Sequence, residues 1–157
     1  MSGALYAVTL ATSIGCGLAA GVFFAFSSFV MPALGRLPAP QGIAAMQSIN
    51  RLAVTPVFMT QLFGTALACL ALAVWVLASP GEASEGLVIA GSGAYLVGNI
   101  VVTMVGNVPL NDALDAVDPD SAEGEALWRQ YLRRWTTLNH VRTVTAVLAA
   151  GLLIAAL

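Results

Sequence analysis

Residues 5–31 read LYAVTLATSIGCGLAAGVFFAFSSFVM, a stretch without a charged side chain. An α-helix rises about 1.5 Å per residue, so roughly 20 apolar residues cross the hydrocarbon core of a bilayer. Lipid cannot hydrogen-bond to an open backbone, and a spanning segment of this kind must therefore be helical. The stretch predicts a first membrane-spanning helix that ends near Pro32.

Three further stretches have the same apolar character, at residues 56–78, 86–108 and 138–157. The whole chain is 59% hydrophobic and 9% charged, whereas soluble domains carry about 25% charged residues. The sequence therefore predicts an all-α fold, a four-helix transmembrane bundle that forms a single domain over residues 1–157.

The basic residues of the chain are all arginines, and they predict its orientation in the membrane. They lie between spans one and two, between spans three and four, or just inside span four: Arg36, Arg51, Arg129, Arg133, Arg134 and Arg142. The connection between spans two and three carries only Glu82 and Glu85. The positive-inside rule places the arginine-bearing connections in the cytoplasm and both termini outside. A bacterial inner membrane is the expected location, and the net charge of −2 gives no indication of nucleic-acid binding.

The two cytoplasmic connections are predicted to contain short amphipathic helices. Residues 41–53 place apolar side chains along one side, and residues 121–136 begin with the predicted N-cap residue, Ser121. The second helix is free to continue into span four. Residues 112–120 are acidic and rich in turn formers, which predicts a joint between span three and this helix.

Polar side chains recur in three places that the predicted topology brings to the cytoplasmic end. Span three carries a stripe with a spacing of four residues, which lies on one helix face: Asn99, Thr103, Asn107 and Asn111. Span four opens with a second group: Trp135, Asn139, His140 and Arg142. The first amphipathic helix adds Gln47 and Asn50. Polar and ionisable groups inside a membrane indicate a functional site. The alternative is that these side chains only join helices to one another.

Arg142 is the most informative of these residues. Only 15 residues follow it, or about 22 Å of helix, which falls short of the roughly 30 Å hydrocarbon core. Either Arg142 is drawn into the membrane edge, where a cation without a partner is costly, or span four stops short of the far side. Phe23, Phe24, Phe26 and Phe29 in span one are interpreted as packing residues or as an aromatic wall for a flat ligand. Cys16 and Cys69 match no metal or redox spacing.

Three motifs in this order carry a resemblance to a known family. They are Met46-Gln47-Ser48-Ile49-Asn50, then Asn107-Val108-Pro109-Leu110-Asn111, then Trp135 followed by Asn139-His140 and Arg142-Thr143. With four predicted spans, the chain resembles the anthrone oxygenase-like membrane proteins (DUF1772). That family contains enzymes that oxidise anthrones to anthraquinones with molecular oxygen, and many members without an assigned activity.

The resemblance implies an oxygenase acting on a flat aromatic substrate, anthrone or quinol-like. An anthrone carries an acidic methylene group, and its carbanion can reduce oxygen without a metal or flavin. His140 would be the base and Arg142 the main oxyanion donor. The substrate would contact Gln47, Asn50, Asn107, Asn111, Trp135 and Asn139.

Other functions stay open at this point. The same cluster would serve a module that binds or transports a lipid, quinone or aromatic metabolite, or a structural subunit whose polar face meets another chain. No cofactor is predicted, although a haem held by His140, or a metal, is not excluded. The expected partners are the bilayer and a hydrophobic small molecule, and a homo-oligomer is compatible with the few short helices.

Overall fold

The computed structural model describes residues 3–81 and 84–157, so that the predicted acidic residue Glu82 lies outside the described residues. The described residues form five helices and no strand. The helices are α1 (Gly3–Leu34), α2 (Ala39–Ala53), α3 (Pro56–Ala78), α4 (Glu85–Asp115) and α5 (Ala122–Ala155). The predicted all-α fold is confirmed.

Four of these helices are long and apolar enough to cross a membrane: α1, α3, α4 and α5, with 32, 23, 31 and 34 residues. This indicates an integral membrane protein. The first three predicted spans fall inside these helices, whereas the fourth, 138–157, extends two residues beyond the end of α5 at Ala155. Helices α1, α4 and α5 also extend several residues beyond the predicted bounds.

The four long helices form a ring in which each contacts two neighbours. Helix α5 packs against α1 and α4, and α3 packs against α1 and α4 on the other side. Helix α2 lies across one end of this ring, against α5 and the last turns of α4. We call this end the arginine end, because the connections there carry Arg36, Arg51, Arg129, Arg133 and Arg134.

The two predicted amphipathic helices have different outcomes. Helix α2 is a separate element that buries Ile43 and Met46 against the bundle. The second forms the first turns of α5 and continues into the fourth span without a break. It begins where predicted, because the Ser121 hydroxyl accepts a hydrogen bond from the backbone N–H of Gly124 at 2.9 Å. No proline interrupts the helix after it, so nothing separates the amphipathic part from the span.

Two prolines that were expected to end helices do not end them. Helix α1 continues through Pro32 to Leu34, and α4 continues through Pro109 to Asp115. A π-helical segment lies just before each proline: Phe26–Val30 before Pro32, and Thr103–Asn107 before Pro109. A proline ring clashes with the carbonyl group one turn earlier, and the wider π turn relieves this clash. Such π turns are frequent at functional sites, and both lie at the arginine end.

The opposite end of the bundle is tightly packed. Its core contains fully buried side chains from all four long helices, among them Cys16, Cys69, Leu72, Tyr95 and Leu153. This packed end holds the helices together. The arginine end has a second apolar cluster around α2, which includes Met31, Leu114 and Tyr131.

Candidate functional site

A cavity lies in the centre of the bundle at the arginine end. Its volume is about 190 Å³, and all five helices contribute to its wall. Most of the wall is apolar, including Phe23 and Phe26 from α1 and Phe58 and Leu62 from α3. Ligand pockets in proteins combine an apolar wall with a few polar groups. This cavity has that composition, because its polar wall residues are Asn50, Thr103, Asn107, Asn111 and Arg142.

Of the described residues that line this wall, only Arg142 is charged. Its side chain is 7% exposed, and its guanidinium carbon lies 3.8 Å from the ring centroid of Phe23 and 5.8 Å from that of Trp135. Among the described residues no carboxylate pairs with it, and its buried Nε atom has no hydrogen-bond partner. A buried cation is stabilised by ring faces but normally also has an anionic partner. Arg142 therefore differs from a structural ion pair, because it is a cation at the cavity wall without an anion beside it in the described residues.

Three neutral wall residues also have buried polar atoms without a partner among the described residues. They are the Asn50 amide nitrogen, the Thr103 hydroxyl and the Asn107 side-chain oxygen. The Asn107 amide nitrogen donates to the backbone oxygen of Trp135 at 3.3 Å, which fixes the orientation of this amide. Buried polar atoms are rarely left unsatisfied in native proteins. Together with the cationic donor of Arg142, these atoms provide an amide donor, a hydroxyl and a carbonyl acceptor at the cavity wall.

The plane of the Trp135 indole is fixed by a small network. One oxygen, Oδ1 of Asn111, accepts hydrogen bonds from the Tyr131 hydroxyl and from Trp135 Nε1, both at 2.8 Å. The rings of Tyr131 and Trp135 are stacked with their centroids 6.1 Å apart. Trp128 stacks on the far side of Tyr131 at 5.6 Å. This network holds the indole beside Arg142.

A family model described as anthrone oxygenase matches residues 55–152, which is more than half of the chain. The chain belongs to the anthrone oxygenase family. No curated protein and no solved structure matches it.

The stretch matched by the anthrone oxygenase family covers only part of the cavity wall. It includes α3, α4 and nearly all of α5, and hence Asn107, Asn111, Trp135 and Arg142. Helices α1 and α2 lie before it, and they contribute Phe23 and Asn50. The motif at residues 46–50, part of the resemblance noted in the sequence, therefore lies outside the matched residues.

Five of the eight predicted site residues line the cavity: Asn50, Asn107, Asn111, Trp135 and Arg142. Gln47 and Asn139 lie nearby but bond to other helices or connections. Gln47 Nε2 donates to the backbone oxygens of Leu114 and Val117 at 2.9 and 3.0 Å. Asn139 Nδ2 donates to the backbone oxygen of Phe23 at 2.7 Å and to the Ser27 hydroxyl at 2.8 Å. In the structure these two amides join parts of the bundle.

His140, the predicted base, is not brought to the cavity. Its side chain is exposed and does not line the wall, whereas Asn139 and Arg142 are buried. His140 and Arg142 lie two positions apart along the helix, which is a rotation of about 200°. Their spacing in the sequence therefore already indicates that the two side chains point to nearly opposite sides of α5. The catalytic role of His140 stays a prediction, with no contact in the structure that supports it.

The aromatic residues of α1 divide between two environments. Phe23 and Phe26 line the cavity, as an aromatic wall would, while Phe24 and Phe29 are 60% and 62% exposed on the outside of the bundle. Sequence reasoning missed Phe58, Leu62 and Met104, which also line the cavity. Their residue types are those of any membrane span, so no pattern distinguished them.

A purely structural subunit was expected to have a filled bundle with its polar face turned outward, whereas Asn107 and Arg142 face a central cavity.

Within the described ranges, no group of three or more histidine, cysteine or acidic residues could hold a metal ion. The cysteines Cys16 and Cys69 are buried and free in the packed end.

Proposed function

We propose that this protein is a membrane oxygenase that binds a flat aromatic substrate in the cavity and oxidises it with molecular oxygen. One observation carries the proposal: the buried guanidinium group of Arg142 lines an apolar cavity and has no anionic partner among the described residues. Membership of the anthrone oxygenase family supports the same reaction class. We further propose that the arginine end faces the cytoplasm, in the inner membrane of a bacterium.

The substrate anion would supply the missing partner of Arg142. An anthrone that loses a proton becomes an enolate, whose negative charge lies largely on the carbonyl oxygen. In a low-dielectric cavity an arginine stabilises such an oxygen far more than it would in water. Phe23 and Trp135, which lie against Arg142, would contact the rings of the substrate and orient them.

The reaction is balanced by one molecule of oxygen. The methylene group of the anthrone loses a proton, and its carbon then bonds to dioxygen to give a peroxide. The peroxide takes up a proton, the second hydrogen of the carbon leaves as a proton, and the O–O bond breaks to leave a carbonyl group and hydroxide. The hydroxide takes up a proton to give water. The carbon is oxidised by four electrons and dioxygen is reduced by four. Dioxygen is apolar, so it reaches an apolar cavity through the bilayer.

The protein's contribution to the first step is to stabilise the anion. The described residues that line the cavity include no carboxylate and no imidazole, and we assign no base among them. Arg142 favours the ionised substrate, and the proton passes to water at the cavity. Transfer of this proton to His140 would require a route from the cavity to the exposed side of α5.

The decisive experiment measures oxygen uptake and anthraquinone formation by the purified protein with anthrone. Arg142→Met should lower the rate by about 10² to 10³, as expected when an oxyanion donor is removed. Arg133→Met is the matched control, because Arg133 lies exposed on the same helix, and it should keep the wild-type rate. If folded Arg142→Met oxidises anthrone at the wild-type rate, the proposal is wrong.

A module that only binds an aromatic anion is the second candidate. The lack of an acid or imidazole in the described wall favours it, because binding needs no proton acceptor. It predicts that the protein binds an anthrone in an Arg142-dependent way without consuming oxygen. The same assay, combined with a binding measurement, separates the two functions.

A further inference from the structure

The cavity is open on one side, beside the first turns of α3. Four apolar wall residues there are largely exposed: Val22, Phe63, Met104 and Val54, at 38%, 45%, 52% and 71%. Elsewhere in the wall, Phe23 and Asn107 are each 1% exposed. Three of the four exposed residues lie inside helices that are apolar enough to span the membrane. We call these four residues the lateral opening.

Helix α3 produces this opening because of the way it packs. Its second turn is held against α1 and α4: Gln61 Nε2 donates to the backbone oxygen of Gly15 at 2.8 Å, and the backbone oxygen of Leu62 accepts from the Tyr95 hydroxyl at 3.2 Å. The first turn lies before these bonds, and Val57 there is 82% exposed. In a bilayer, hydrocarbon chains therefore reach the lateral opening directly.

The cavity is too small to enclose a large substrate. An apolar cavity of about 150 Å³ takes up one benzene ring, and this cavity measures about 190 Å³. It has no room for a long substituent in addition to the aromatic rings of a substrate. Arg142 lies in the buried part of the wall, so that the charged end of a ligand points inward and the remainder extends toward the lateral opening.

We propose that the substrates are anthrones that carry a long hydrocarbon substituent. The carbonyl oxygen of the ring system points toward Arg142, and the substituent passes between Phe63 and Met104 into the lipid. This inference rests on the proposed function, since it names the substrate class of the same cavity. A hydrocarbon chain remains in an apolar environment throughout binding, whereas a charged substituent at that place would face lipid.

The test compares two probes in lipid nanodiscs: anthrone, and an anthrone with a dodecyl chain on an outer ring. Dissociation constants are measured for the wild-type protein and for Met104→Trp, which narrows the lateral opening. Val105→Trp is the matched control, because Val105 is 72% exposed on the same helix but does not line the cavity. Comparing variants with each probe cancels the partitioning of that probe into the bilayer.

We expect Met104→Trp to weaken binding of the dodecyl probe at least tenfold and that of anthrone less than threefold, with no change in Val105→Trp. Phe63→Trp should repeat the effect from the other side of the opening, and it replaces Met104→Trp if that variant does not fold. Equal weakening of both probes, or no weakening of either, overturns the inference.

The outcome is independent of the reaction itself. Selective loss of the dodecyl probe without oxygen uptake by the wild-type protein would retain this inference and reject the oxygenase. Oxidation of anthrone without selectivity between the probes would retain the oxygenase and reject this inference.

Discussion

The two ends of the bundle are built from the same apolar helices but are organised differently. At the packed end the helices approach so closely that a side chain added at Gly91 would meet the backbone oxygen of Ala149 at 3.2 Å. At the arginine end the helices surround a cavity, and Asn107 and Arg142 keep polar atoms without partners. Under the proposed function, the packed end supplies stability and the arginine end gives up some stability in order to bind a ligand.

The largest expected effect on stability lies at the packed end. Leu72 is completely buried there, so Leu72→Ala leaves a cavity and should lower the free energy of unfolding by about 2 kcal/mol or more. Leu70→Ala is the control, because Leu70 is 50% exposed on the same helix. Thermal unfolding in nanodiscs measures both variants. The oxidation rate per folded molecule should stay at the wild-type value. Equal destabilisation by the two substitutions would contradict the claim that the packed end supplies the stability of the bundle.

The network around Asn111 should give the next largest effect. Asn111→Leu removes the acceptor of two donors, the Tyr131 hydroxyl and Trp135 Nε1, at a cost of about 1–3 kcal/mol. The anthrone oxidation rate should also fall about tenfold, since the indole beside Arg142 is no longer fixed.

A double-mutant cycle with Trp135→Phe distinguishes this positioning role from a general loss of packing. Trp135→Phe removes one donor and keeps a ring, so the two substitutions should be coupled by at least about 0.5 kcal/mol. Additive effects would mean that Asn111 does not act through the indole.

Substitution of Arg142 should change the free energy of unfolding in the opposite direction to substitution of Leu72. Its charge is buried without an anionic partner among the described residues, and apolar replacements of buried charges are often neutral or stabilising. Arg142→Met should therefore raise the free energy of unfolding by about 1 kcal/mol, while activity is lost. Thermal unfolding without ligand measures this, with Arg133→Met as the unchanged reference. A marked loss of stability would assign Arg142 to the scaffold.

The sequence was sufficient to predict the scaffold and much of the polar part of the cavity. Largely apolar stretches of spanning length predicted the four long helices. The spacing of Thr103, Asn107 and Asn111 placed them on one face, and all three line the cavity. Each of these inferences depends on helix geometry alone, which local sequence determines.

The remaining features depend on tertiary contacts. An amide such as Gln47 or Asn139 can face a ligand or bond to a neighbouring backbone oxygen, and the choice depends on where that oxygen lies. An apolar residue such as Leu62 can face lipid, core or cavity without any change of residue type. The π turns before Pro32 and Pro109 are likewise set by packing between helices.

The smallest expected effect is that of His140, and it tests whether the cavity alone contains the chemistry. His140 is exposed on the side of α5 away from Arg142, so His140→Ala should change the rate of anthrone oxidation less than twofold. The measurement is oxygen uptake across neutral pH, where histidines commonly change charge, and the wild-type and variant profiles should coincide. A loss as large as that of Arg142→Met, with a change in the pH profile, would show that His140 takes the proton. The lipid-facing side of α5 would then belong to the site, and the division between a packed end and a single central cavity would have to be redrawn.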